Sequence, residues 1–394
     1  MAGMTADRPL PVLWLCGPAG VGKSTVSWQL YTELASAGAH VAFADSDQLC
    51  MCYPAPPDDP GRQHVKALNA GALVANFRAA GAQCLIINGV LGPAGLETEL
   101  LPEAEVTICR LRGRRDEIHR RFTGTHQQWD DMDRMLREID DEIRVMDQSS
   151  FADACVDTTG VPPGEVTARV RAACADWPGF TGDLPGVAGQ FPVRRYSPVA
   201  GQVALITGPA GVGKSTIGFR FYMNCLNAGL TAGYVDLRQI GFLRLADADD
   251  PGNRRLKARN LAAIWRNYQA AGATHLVAGG AIDNRGDFRP YTEELTGADV
   301  TLVRLRAGRD ELTRRIMTRG AGGSWPEPGD PLRGQSVECL ASVARQAAAD
   351  AEANDRSGPG GLVIDTTDRS PDESAALIAA AAGWPDPGSA SVTG

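Results

Sequence analysis

Short apolar runs alternate with longer amphipathic stretches along the whole chain. Val12–Cys16 is continuously apolar, as a strand buried on both faces must be. It runs into a glycine-rich loop, and the pattern predicts a helix from the Lys23-Ser24-Thr25 that ends the loop. Further strands are predicted at Val41–Ala44, which stops at an Asp, and at Cys84–Ile87, Val106–Arg110 and Ala154–Val156. A polar stretch holding Asp58-Asp59-Pro60-Gly61 reads as a turn and the start of a helix running to about residue 80. The pattern then begins again, with strands predicted at Val203–Thr207, Ala232–Val235, His275–Ala278, Val300–Arg304 and Gly361–Ile364. Strands alternating with helices imply a parallel sheet covered on both faces.

The restart is an internal repeat. GPAGVGKST occurs at Gly17–Thr25 and again at Gly208–Thr216, an offset of 191 residues, and 31 of the 78 pairs over 12–89 are identical. Asp45 aligns with Asp236, Gln48 with Gln239, Lys66 with Lys257, Asn69 with Asn260 and Asn76 with Asn267. After a three-residue shift the Arg-rich 109–121 matches 303–315, and CVDTTG (155–160) matches VIDTTD (363–368). The predicted fold class is therefore α/β, with two tandem P-loop NTPase domains, each a parallel sheet of about five strands with helices on both faces. The boundaries read from composition are 1–178 for the first domain, a Gly/Pro linker over 179–200, 201–385 for the second domain, and a flexible tail over 386–394.

Composition narrows the class. Lys plus Arg is 39 against 47 for Asp plus Glu, so the net charge is −8 and a nucleic-acid partner is not expected. No apolar run approaches a membrane span, and the first residues lack the regions of a signal peptide, so the expectation is a cytoplasmic protein without membrane contact. Nine scattered cysteines do not form a disulfide framework, and the Cys50/Cys52 pair alone is a weak metal signal.

Chemistry concentrates at the repeated loop. In such a loop the backbone N–H groups of Gly17, Ala19, Gly20, Val21, Gly22, Lys23, Ser24 and Thr25 curl around phosphate oxygens. The second set is Gly208, Ala210, Gly211, Val212, Gly213, Lys214, Ser215 and Thr216. Lys23 and Lys214 reach the β- and γ-phosphates, and Ser24 and Ser215 are placed to ligate Mg²⁺. No N-K-x-D guanine signature is present, so the expected nucleotide is ATP. The third predicted strand ends Asn88-Gly89 or Gly279-Gly280, without an acid, which argues against a water-activating ATPase. The acids lie after the second strand. Asp45 and Asp47 are spaced i, i+2 and point the same way, so one can hold Mg²⁺ or its water while the other accepts a proton from an acceptor hydroxyl. The second repeat has Asp236 but Arg238 in place of Asp47. A solvated turn carrying two acids is the plain alternative.

With the loop, the D-x-D, the small residues at Gly279-Gly280 and the Arg-rich segment before VDTT or IDTT, the chain resembles the small-molecule and nucleoside-monophosphate kinases of the P-loop class. It looks most like the shikimate, gluconate and adenylylsulfate kinase branch. The resemblance implies ATP and Mg²⁺ as cofactors and transfer of the γ-phosphate to a small-molecule acceptor. It places Asp45, and by alignment Asp236, near Mg²⁺, Asp47 on the acceptor, and the Arg-rich segment in a lid. Arg121, Arg315 and Arg319 are the candidate phosphate clamps, since guanidinium pairs bidentately with phosphate oxygens. A basic helix surface paired with its own acids is the alternative for most of the arginines. Lys66, Asn69 and Asn76 share a helix face, to bind the acceptor or as a surface kept from the repeat. The copies differ at Asp47/Arg238, and Arg319 has no counterpart in the first. Two different acceptors, one catalytic and one regulatory copy, or a site shared through intramolecular pairing of the two domains all fit these differences. A non-catalytic ATP-binding switch is the rival class, and a polynucleotide 5′-kinase a more distant one.

Overall fold

The computed structural model describes residues 8–125, 131–186, 196–244, 250, 252–280, 288–323, 329–356 and 361–385. The first half runs β1 (Leu10–Cys16), α1 (Lys23–Ser36), β2 (Val41–Asp45), a 3-10 turn at Ser46–Leu49, β3 (Cys52–Tyr53), α2 (Gln63–Ala79) and β4 (Cys84–Asn88). It continues through β5 (Ala104–Arg112), α3 (Arg115–Thr125), α4 (Met132–Asp147), β6 (Ala154–Asp157), α5 (Pro163–Ala173) and α6 (Pro178–Thr181). The second half runs β7 (Gln202–Thr207), α7 (Lys214–Asn227), β8 (Ala232–Asp236), β9 (Phe242–Leu243), α8 (Arg254–Ala270) and β10 (His275–Gly279). It ends with α9 (Arg289–Glu294), β11 (Asp299–Arg306), α10 (Arg309–Gly320), α11 (Val337–Arg356), β12 (Leu362–Asp365) and α12 (Pro371–Ala382).

These strands form two sheets of equivalent order. One is β6-β5-β1-β4-β2-β9 and the other β12-β11-β7-β10-β8-β3. In each, the first five strands come from one half and run parallel. The sixth is a two-residue antiparallel strand lent by the other half: Phe242–Leu243 pairs with β2, and Cys52–Tyr53 pairs with β8. The expected five strands account for the parallel part. The exchanged strands are too short to carry a period of two, so nothing in the pattern marks them.

The two faces of each sheet belong to different cores. Val12, Trp14 and Cys16 of β1 face one cluster, while Leu13 and Leu15 face another, as the alternation of a strand requires. The outer core of the first sheet is closed by α1 and α5, and that of the second by α7 and α12. The inner faces of both sheets share a single core around α2 and α8, which form the middle layer of the molecule. Phe242 of the lent strand completes an aromatic cluster of the first half, 4.9 Å from Trp28 and 5.8 Å from Phe43 between ring centroids.

Asn69, Asn76, Asn260 and Asn267 lie where α2 meets α8. Asn76 Nδ2 donates to Asn260 Oδ1 at 3.0 Å and Asn267 Nδ2 to Asn69 Oδ1 at 2.9 Å, all four side chains being buried. The second amide hydrogen-bond of each pair reaches back to its own half: Asn69 Nδ2 donates to Leu49 O and Asn260 Nδ2 to Ile240 O. The repeated polar face therefore joins the two halves, and its asparagines are not open to an acceptor. The Asp-Asp-Pro-Gly turn is also structural: Asp59 Oδ2 accepts from Val65 N at 3.0 Å at the start of α2, and Asp250 accepts from Arg255 N at the start of α8. Asp249 and Pro251 of the second copy lie outside the described residues.

The segment expected to be a linker is ordered at both ends. Pro178–Thr181 forms a helical turn, Asp183 pairs with Arg8, Pro185 O accepts from Gln83, and Val199 N donates to Thr296 O. The tail expected over 386–394 lies outside the described residues. Among the described residues no helix is long and apolar enough to cross a membrane.

A buried amide deprived of its partner costs about 1–3 kcal/mol. Asn267→Ala and Asn69→Ala are each expected to lower the thermal midpoint. The double variant should lose less than the sum of the two, because the second change removes a group already orphaned. Strict additivity in thermal unfolding would show that the pair makes no contact of consequence.

Candidate functional site

Both glycine-rich loops join a buried strand to the N-terminus of a helix. α1 begins at Lys23 and α7 at Lys214. Gly17 and Gly208 both take φ near +150°, and a side chain there would meet the carbonyl of Leu111 or Leu305 at about 2.4–2.5 Å. Each lysine folds back over its loop: Lys23 Nζ donates to Gly17 O and Pro18 O at 2.7 and 3.0 Å, and Lys214 Nζ to Gly208 O and Pro209 O at 2.8 Å. Burial, opposed by Asp236 and reinforced by Arg319 and Arg238, pulls the Lys214 pKa down to about 8.

The loop serines meet the predicted acids. In the second half Ser215 Oγ donates to Asp236 Oδ2 at 2.7 Å, and Asp236 Oδ1 accepts from Arg238 N at 2.8 Å. In the first half the contact runs through Asn88, whose Nδ2 lies 3.4 Å from Ser24 Oγ and 3.2 Å from Asp45 Oδ2. Asn88 had no role in the sequence reading, which looked for an acid there. Its register opposite Asp45 on adjacent parallel strands is the signal that finds it. Asp45 Oδ1 also accepts from Asp47 N at 2.9 Å. Burial, and then the nearby charge of Asp47, raise the Asp45 pKa to about 7. Asp47 itself is exposed.

The candidate lid arginines are held by protein groups. Arg121 bonds Glu117, donates to Thr158 Oγ1 and O at 3.0 and 2.8 Å, and reaches Val21 O of the loop. Arg315 repeats this with Glu311, Thr366 and Val212 O. Both brace the glycine-rich loop, tying it to the Thr that follows the β6 or β12 strand. Arg319 Nε donates to Asp330 Oδ2 at 2.9 Å, a carboxylate that is nearly inaccessible. Arg112, Arg114, Arg115 and Arg120 pair with Asp157, Asp116, Asp140 and Glu117, the basic-helix pattern weighed as the alternative. Lys66 Nζ donates to Val90 O at 2.5 Å and is buried.

One further group stands in the first loop. Glu142 of α4 accepts the backbone N–H of Ala19 at 2.9 Å. This is one of the N–H groups that a phosphate oxygen would take, and a carboxylate is the same kind of acceptor. Burial raises the Glu142 pKa, while Lys23 and the Ala19 N–H pull it back. Nothing in the local sequence sets Glu142 apart, because α4 is rich in acids throughout.

No family model matches the chain, and no curated protein matches it. Solved structures do. A gluconokinase from Sinorhizobium meliloti 1021 aligns at 14% identity and a TM-score of 0.31, over 43% of this chain and 94% of its own. The APS kinase CysC of Mycobacterium tuberculosis, in complex with AMPPNP and APS, aligns at 18% and 0.29, over 47% of this chain and 99% of its own. Shikimate kinase from Acinetobacter baumannii, in complex with shikimate, aligns at 19% and 0.27, over 43% and 97%. Each of these three kinases is matched by less than half of this chain.

The Asp45 shift has a sign that can be checked. The folded state holds the proton more tightly than the unfolded chain, whose Asp titrates near 4, so stability falls as pH rises from about 4 to 7. Asp45→Asn is expected to raise the thermal midpoint by a few degrees at pH 8 and to leave it unchanged at pH 4, in buffer free of divalent ions. An equal gain at both pH values would mean that Asp45 carries no such burden.

Proposed function

We propose that the chain is an ATP-dependent phosphotransferase that moves the γ-phosphate to a hydroxyl of a small-molecule acceptor, and that its two loops are unequal partners in this. The observation that carries the reading is the meeting of each loop serine with the carboxylate at the end of the second strand, directly for Ser215 and Asp236 and through Asn88 for Ser24 and Asp45. These hard oxygen donors fit Mg²⁺, which when bound neutralises charge on the transferring phosphates. The loop N–H groups hold the β- and γ-phosphates, and Lys23 and Lys214 exchange their carbonyl partners for phosphate oxygens.

Transfer belongs to the first site, where Asp47 is exposed beside Asp45. As the acceptor oxygen bonds to the γ-phosphorus, the bond from that phosphorus to the bridging oxygen of ADP breaks, and Asp47 takes the acceptor's proton. In the second site Arg238 stands where that base would be, so this site binds ATP without a base of its own. A phosphate oxygen can take Ala19 N only when Glu142 gives it up, by turning its side chain or by a shift of α4. That same contact, together with Arg238, favours one rival reading: a switch that binds ATP and transfers nothing.

Labelled ATP offered with a pool of small metabolites separates the two. Label appearing on an organic acceptor supports transfer, and binding without transfer supports the switch. Calorimetry should find two ATP sites in the wild type and one in each of Lys23→Ala and Lys214→Ala. Lys23→Ala should cost about a hundredfold or more in transfer rate, whereas Lys214→Ala should retain transfer. Two undisturbed sites in either variant would refute the loop assignments. Glu142→Ala should tighten ATP binding at the first site by about tenfold, the worth of one hydrogen bond to a charged group. An unchanged or weaker affinity would show that Glu142 does not compete with phosphate.

A further inference from the structure

The segment that follows Asp45 serves both halves. It turns through Ser46–Leu49, crosses to the second sheet and pairs there as β3, with Cys52 opposite Gly233 and Tyr53 opposite Ala232. Met51 O accepts from Tyr234 N at 2.9 Å, one step further along the same edge. The next N–H on that edge is two residues on, because alternate residues of a strand point to the same neighbour. That residue is Asp236. The lent backbone has by then turned away into the 3-10 turn, and an edge N–H would be left without a strand partner. The side chain of Gln48 fills the gap: its Oε1 accepts from Asp236 N at 2.8 Å. Gln48 is itself anchored, its backbone carbonyl accepting from Tyr268 OH at 3.1 Å.

We propose that Gln48 is a positioning residue of the second site, a side chain of the first half that fixes the backbone of Asp236 and so the carboxylate facing Ser215. It rests on the reading that the second loop takes ATP with a divalent cation. Asp236 ends its strand, and its two carboxylate oxygens are already committed to Ser215 Oγ and Arg238 N. Rotation of its backbone would break both contacts. The one hydrogen bond on its own N–H comes from the other half of the chain, so the second site is incomplete without residues 45–53. Because Gln48 lies three residues beyond Asp45, the two sites share one short piece of backbone.

The test titrates ATP into the full-length chain carrying Lys23→Ala, so that only the second site binds, at a series of Mg²⁺ concentrations. Gln48→Met keeps the length of the side chain and removes the acceptor. It should raise the Mg²⁺ concentration needed for half-maximal tightening of ATP by about three- to tenfold, with ATP binding in EDTA unchanged. Gln48→Ala, which imposes less on the packing, should act in the same direction and serves if the first variant fails to fold. Gln48→Glu retains an acceptor oxygen and should hold the Mg²⁺ requirement at or below its original value. Tyr268→Phe loosens the anchor of the same segment but keeps the Asp236 bond, and should move the requirement clearly less than Gln48→Met does. A requirement unmoved by Gln48→Met and Gln48→Ala, or moved as far by Tyr268→Phe, would overturn the positioning role while leaving the second ATP site standing. No ATP binding at all in the Lys23→Ala protein would remove that site, and the role of Gln48 with it.

Discussion

Two helices bury amide side chains against each other in the middle of the molecule, and the position of nearly every other element follows from that contact. Asn69 meets Asn267 and Asn76 meets Asn260, so α2 and α8 are locked in a single register. A slip of one helical turn would strand all four amides in an apolar core, at about 1–3 kcal/mol for each group left unpaired. The same asparagines also hold the carbonyls of Leu49 and Ile240, at the ends of the turns leading to β3 and β9. Fixing the two helices thus carries each turn across the gap between the sheets. The exchanged strands, the aromatic cluster completed by Phe242 and the reach of Gln48 to Asp236 are consequences of that one layer.

The halves share a scaffold and differ in charge. Around the first loop stand Asp45, Asp47 and Glu142, with Lys23 close enough to draw on Asp45 and Glu142. Around the second, Lys214 is pushed towards neutrality by burial, and Arg319 and Arg238 add to the effect against the pull of Asp236. The first cluster is the more acidic of the two and the second the more basic. A repeated backbone therefore does not imply a repeated chemistry, because the groups that decide it lie outside the nine identical loop residues.

Much of this is legible in the order of the amino acids alone. The strands of each parallel sheet show as apolar runs because both their faces are buried, and the loops announce themselves through a motif set between strand and helix. The rest was hidden for physical reasons. A two-residue strand has no period. Glu142 bonds a loop more than a hundred residues away, from a helix most of whose other acids are exposed. Arg121 and Arg315 stand out by residue type and spacing, but their bonds to Thr158 and Thr366 and to the loop carbonyls of Val21 and Val212 join segments far apart in the chain and carry no local signal. The asparagines on α2 and α8 read as a polar surface, since a helix does not reveal in its own sequence that another polar helix will cover it.

Strand exchange has one more consequence. Each sheet is closed at one edge by residues that its own half does not contain, and each middle helix is covered by the other across the paired asparagines. Half of this chain, made alone, would carry an uncovered edge beside β2 or β8 and a bare helix face. A second copy of such a half would offer a surface like the one that covers them here. The covalent link between the halves therefore decides which partner each one meets: it makes permanent, within one chain, an association that would otherwise depend on concentration.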